Sequence, residues 1–281
     1  MRRRTAAALL AALLMAAPAA WAQNSVFMED LTWVEIRDLI KEGTTTVMIP
    51  SGGTEQGGPH LVTGKHNYVM KYTAERIAKR IGKTLVAPVM AYVPEGDVNP
   101  PTSHMWATGT ITLPPEQFAK VYEYAARSLK QHGFLDIILI GDSGGNQAPM
   151  KAVAEMLNAE WKDTPVRVYH LPKYNDNPEF LEWLKAKGYS TEVIGSHAAI
   201  RDSSDLMAAH LEGVRMDKRS PGPLPDGTRS GVRGDPTKAS VEYGKVALDM
   251  KVEAAVSQYQ ELRKQYRTAT ATPGPASASD R

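Results

Sequence analysis

Four of the seven histidines, His60, His66, His104 and His197, fall in short polar clusters that also carry carboxylates or hydroxyls. The clusters run over residues 55–67, 97–110, 141–146 and 197–205. Imidazole grouped with carboxylate can hold a divalent cation or move a proton near neutral pH. The chain has no cysteine, so thiolate chemistry is excluded and any metal must be held by His, Asp or Glu. The third cluster allows a different chemistry. Gly141-Asp142-Ser143-Gly144-Gly145 satisfies the G-x-S-x-G pattern of a nucleophile elbow, with Ser143 as nucleophile and Asp202 or Asp205 and then His210 downstream in the required order. The same letters surround the nucleophile of trypsin-like proteases, but those are all-β and their serine does not open a helix. Gly144 and Gly145 also permit a plain tight turn with N–H groups at a helix N-terminus.

Alternating strand and helix signals must position these clusters. Residues 46–49 read as a strand leading into Ser51-Gly52-Gly53. Met70, Ala74, Ile77 and Ile81 recur at helical spacing and end at Gly82, and Leu85-Val86-Ala87 reads as a second strand. Pro114 and Pro115 open a helix predicted to bury Phe118, Val121, Ala125 and Leu129, with Gly133 as its left-handed cap. The apolar run from Phe134 to Ile140 reads as a strand buried on both faces. Helices over 147–161 and 178–187, a strand over 166–171 and a closing helix over 239–265 complete the series. This order predicts an α/β domain with a mainly parallel sheet, in which functional loops gather at the carboxyl ends of the strands. Residues 219–238, rich in Pro, Gly and charge, read as a long surface loop whose Arg233-Gly234-Asp235 triplet is incidental.

The 281 residues are 42% hydrophobic and 23% charged, which excludes a disordered or fibrous chain. Lys and Arg total 33 against 31 Asp and Glu, and three of the basic residues are Arg2, Arg3 and Arg4, so the remainder is close to neutral. Nothing in that balance points to nucleic acid or an anionic membrane. Residues 1–22 have the basic start, short apolar run and Ala20-Trp21-Ala22 ending of a cleavable export signal, so the mature chain is expected to start near Gln23 in the periplasm or outside the cell. The apolar run is too short for a membrane anchor. The domains are read as the signal 1–22, the α/β domain 23–266 and a disordered low-complexity tail 267–281.

In order and spacing the four clusters resemble the creatininase (creatinine amidohydrolase) family of metal-dependent amidohydrolases. The family block E-x-H-G-P-H-L-P followed by Asp is matched by Glu55-Gln56-Gly57-Gly58-Pro59-His60-Leu61, with His66 at the Asp position. His104 to Thr110 matches a His followed by G-T, Gly141 to Asn146 matches N-G-H-G-G-N, and His197 to Ser204 matches H-A-G-x-x-E-T-S. The resemblance spans residues 30–260 and implies a three-layer α/β/α fold, a small-molecule substrate and a homo-oligomer, with a hexamer as the family form. It also implies two divalent ions, zinc or manganese, held by a Glu, two His, an Asp and a further Glu. Here Glu55 stands unchanged, while Gly57, His66, Ser143 and Asp202 replace the other four.

Loss of the bridging carboxylate argues against a paired-ion centre. The expectation is one ion, zinc or manganese, on Glu55, His66, Asp142 and Asp202. The reaction expected is hydrolysis of a non-peptide amide or cyclic amide C–N bond. His197 would carry the proton to the leaving nitrogen, and His60 or His104 would orient the substrate or stabilise the oxyanion. Ser143, Gly144, Gly145 and Asn146 would supply further donors and Trp106 would wall the pocket. Two other readings stand beside it: a serine hydrolase built on Ser143, and an exported protein that binds a small ligand without chemistry.

Overall fold

The computed structural model describes residues 25–271. The expected export signal and the end of the expected tail lie outside the described residues. The elements are α1 (Trp33–Lys41), β1 (Thr46–Ser51), α2 (Lys65–Ile81), β2 (Thr84–Val86), α3 (Pro115–Gln131), β3 (Asp136–Gly141), α4 (Gln147–Glu160), β4 (Arg167–His170), α5 (Pro178–Ala186), α6 (Thr191–Ile194), α7 (Ile200–Ala209) and α8 (Val241–Ala271). The four strands pair in the order β2-β1-β3-β4, all parallel. Every residue of β1 and β3 is buried, as their unbroken apolar runs require in a sheet covered on both sides.

On one face, Phe118, Tyr122 and Leu129 of α3 and Met150, Val153 and Leu157 of α4 pack on Val47, Ile49, Ile137 and Leu139. On the other, Met70, Ala74 and Ile77 of α2 and Val252, Ala255, Val256 and Tyr259 of α8 pack on Met48, Ile138 and Ile140. Successive strand residues thus feed opposite cores, each fully buried aliphatic side chain contributing roughly 1.5–3 kcal/mol. The fold is the expected three-layer α/β/α sandwich.

Several local expectations change. The buried stripe of α3 is Phe118, Tyr122, Ala126 and Leu129, while Val121 is half exposed, because the helix is rotated by one position relative to the stripe expected. Gly133 does take a positive φ of 103° just past that helix. The last helix continues to Ala271, into the segment expected to be a tail. The 219–238 segment is more than a surface loop. Ser196 N–H donates to Arg233 O and Arg233 N–H donates to His197 O, both at 2.9 Å, so the loop clamps the His197 segment. Gly195 is needed at that clamp, since a Cβ there would lie 1.9 Å from Arg233 O.

Candidate active centre

The centre forms where the loop after β1, the start of α2, the end of β3, the start of α7 and the middle of α8 converge. Glu55 lies in the loop after β1. Gly53 makes room behind it, since a Cβ there would come within 2.6 Å of Glu95 Oε1. Lys65 and His66 are the first two residues of α2. A cation at a helix N-terminus is disfavoured by the helix dipole, and Lys65 is also only 2% exposed. Carboxylates offset both penalties: Lys65 Nζ lies 2.6 Å from Glu55 Oε1 and 3.6 Å from Asp202 Oδ2. Asp202, in the first turn of α7, suits that helix end and accepts a 2.6 Å hydrogen bond from Ala198 N–H.

His66 spans two carboxylates, with Nε2 2.8 Å from Glu55 Oε1 and Nδ1 2.6 Å from Asp142 Oδ2. Lys251, from α8, stands 2.5 Å from Asp142 Oδ1 and 3.3 Å from Asp205 Oδ2, and its Nζ lies 5.0 Å from the ring centre of Tyr174. Burial and the Lys65 ammonium push the His66 pKa down, but the Glu55 and Asp142 carboxylates prevail and raise it to about 9. His66 therefore carries both protons at neutral pH and donates twice. Burial raises the pKa of Glu55, Asp142 and Asp202, yet the neighbouring ammonium and imidazolium groups hold all three far below the usual carboxylate range. Glu95 behaves oppositely. Burial and the Glu55 carboxylate push it up to about 9, so it stays protonated. Burial likewise raises Asp205.

The other side of Glu55 faces two imidazoles. His104 Nε2 lies 3.2 Å from Glu55 Oε2, and His197 Nδ1 lies 3.9 Å from Glu55 Oε1 and 4.0 Å from Asp202 Oδ2. Gln56 holds both rings: Gly58 N–H donates to its Oε1, His197 Nε2–H donates to its backbone O at 3.0 Å, and its Nε2 lies 3.0 Å from His104 Nδ1 and 2.9 Å from His197 Nε2. Burial lowers the pKa of His104, and burial with the Lys65 charge lowers that of His197 to about 4, so both rings are neutral at pH 7. A cleft of about 250 Å³ opens over these groups, lined also by Ser143, Gly144, Asn175, Ser196 and Arg201. That volume suits a small polar molecule.

The structure brings together Glu55, His66, His104, Asp142, Ser143, Gly144, His197 and Asp202 in one cleft. His60 is placed elsewhere: it is fully buried, with Nε2 2.8 Å from Ser203 Oγ, and does not line the cleft. Asn146 is turned inward, donating to Ser51 Oγ and Gly52 O, and Gly145 abuts Pro94 O. Trp106 stacks under the Arg229 guanidinium, 4.4 Å from the ring centre, outside the cleft lining. The nucleophile elbow is not formed. Ser143 has ordinary extended backbone angles, and His210, needed as its base, stacks on Tyr68 and faces Glu212.

Of the four expected metal ligands, Glu55 alone keeps a carboxylate oxygen, Oε2, turned from Lys65 and His66 towards His104. His66 has no lone pair left for an ion, and Asp142 and Asp202 face ammonium groups. A different group, Glu55, His104 and His197, offers one atom each within 4.8 Å of one another. One carboxylate and two neutral imidazoles are the donor types and spacing that a single zinc or manganese ion takes. A second ion has no such set among the described residues.

A family model described as "Creatininase: Creatinine amidohydrolase" matches residues 29–259. The chain belongs to the creatininase family. It is 24% identical over 200 residues to the creatinine amidohydrolase of Pseudomonas putida, covering 69% of this chain and 76% of that one. Among solved structures, a manganese creatininase superposes with a TM-score of 0.69 at 22% identity, over 86% of this chain and 99% of that one. A mutant creatininase of Zn-Zn type gives 0.68 at 22% identity, over 86% and 98%. Against that background, Lys65, Lys251, Glu95 and Gln56 are the residues of this creatininase centre that sequence reasoning did not reach.

Proposed function

We propose that the cleft hydrolyses an amide or cyclic amide C–N bond of a small polar molecule, with one divalent ion, zinc or manganese, held by Glu55, His104 and His197. The observation carrying this reading is the convergence of two neutral, half-buried imidazoles on one buried carboxylate in a cleft of small-molecule size. Bound there, the ion would polarise the carbonyl and lower the pKa of water towards about 7. Arg201 and the Ser143-Gly144 turn line the wall where a substrate oxygen would rest. His66, with both N–H groups donating to Glu55 and Asp142, holds those two carboxylates in place. Lys65 fixes Glu55, and Gln56 fixes both imidazoles. We place the protein outside the cytoplasm on the strength of its first 22 residues, and as a homo-oligomer on the strength of its family; N-terminal sequencing and size-exclusion chromatography test these two points.

The deciding experiment assays cyclic amides and formamides with purified protein before and after chelation, alongside elemental mass spectrometry. Turnover that disappears with the metal and returns with zinc or manganese supports the reading. Turnover unchanged by complete metal removal overturns it.

A further inference from the structure

Lys65 and Lys251 enter the centre from different helices, yet each lies between two carboxylates from different segments. Their links join through His66 into one chain of contacts: Asp202, Lys65, Glu55, His66, Asp142, Lys251, Asp205, with successive separations of 3.6, 2.6, 2.8, 2.6, 2.5 and 3.3 Å. Both lysines are about 2% exposed. A buried ammonium is rare unless paired, and two within one cleft wall mean that the positive charge needed by these carboxylates is supplied by the chain itself. An ion at either point would need carboxylate oxygens at about 2.0–2.2 Å and would meet an ammonium at contact distance.

We infer that Lys65 and Lys251 are built-in cations that neutralise the acidic wall of the centre, so that this chain takes at most one divalent ion where a structural neighbour is of Zn-Zn type. The inference rests on reading the cleft as the active centre. Two consequences follow from the geometry. The carboxylate array holds its shape without metal. Deleting the Lys251 ammonium frees Asp142 and Asp205 beside His66 and turns that end of the chain of contacts into a new cation site.

The test is zinc stoichiometry. Purified protein is incubated with excess zinc, desalted and counted by elemental mass spectrometry, with thermal unfolding followed with and without zinc. Wild type is expected to hold no more than one zinc per chain. Lys251→Ala is expected to hold one more than wild type and to gain more thermal stability from zinc. Two zinc ions on the wild-type chain overturn the inference, as does a folded Lys251→Ala with no additional zinc. The wild-type count decides even if the variant does not fold. A wild-type chain with no zinc would end the single-ion reading of the function and leave the lysine assignment standing. Two ions would end the lysine assignment and leave metal-dependent hydrolysis to be decided by the chelation assay.

Discussion

Nδ1 of His66 lies 2.6 Å from Oδ2 of Asp142, joining the first turn of α2 to the residue that follows β3. Because Nε2 of the same ring bonds Glu55, the contact requires a fully protonated imidazole.

That requirement sets a pH dependence. The His66 pKa is raised to about 9 from 6.5, and the Glu95 pKa is raised to about 9 from 4.5. The folded state thus binds more protons than the unfolded one between these values, and stability falls as pH rises through them. The His66 contribution is complete below about pH 6.5 and the Glu95 contribution below about pH 4.5, and both are lost as pH rises through about 9. The melting temperature is expected to be lower at about pH 10 than at about pH 6, and Glu95→Gln, which keeps a donor without the charge, is expected to flatten the curve. Thermal unfolding monitored by circular dichroism across this range checks it.

Gln56 touches both imidazoles of the candidate ion group and lines no separate function. Gln56→Ala should leave the fold intact and lower turnover by roughly 10²-fold, the scale expected when partners that orient metal ligands are lost. His197→Ala should abolish turnover outright. Steady-state kinetics with circular dichroism as a control on folding distinguishes the two effects, and a His197→Ala enzyme of normal activity would remove that residue from the chemistry.

The absence of an elbow at Ser143 gives a sharp contrast. Ser143→Ala should change turnover by no more than about 10-fold, because the hydroxyl lies in the cleft wall without a histidine to activate it. A complete loss, with chelators inert, would restore the serine hydrolase reading.

Gly244 faces α7 so closely that a Cβ would lie 1.8 Å from Ser204 O. Helix propensity alone would make Gly244→Ala stabilising by about 1 kcal/mol. The obstructing group is backbone and cannot swing away, so the substitution should instead destabilise by roughly 1–3 kcal/mol, as overpacked sites do. Urea unfolding gives the sign directly.

Much of the fold was legible because it depends on long apolar runs and on helical spacing. The apolar run Phe134 to Ile140 marks the strand found at Asp136–Gly141, and the spacing of Met70, Ala74 and Ile77 marks α2. The stripe of α3 was misplaced because Val121 and Tyr122 are adjacent and both apolar enough to serve, and packing selected the tyrosine. In the centre, histidines and carboxylates stood out as residue types, but their pairing depends on distances across five segments. Lysines are read as surface residues by default, which hid Lys65 and Lys251. One signal was present: Lys251 interrupts the apolar stripe of Ala247, Leu248, Val252 and Ala255 on α8, where a charge is affordable only if something inside answers it. Glu95, in a loop with few neighbours in sequence, gave no comparable sign.

The position of Lys251 near the end of the chain orders how the centre is made. Asp142 and Asp205 both precede their lysine in the sequence, so a chain folded without α8 would have both acids and no ammonium to meet them. The wall becomes electrically complete only when α8 has been synthesised and laid across the sheet, so the arrival of the final helix is what closes the site.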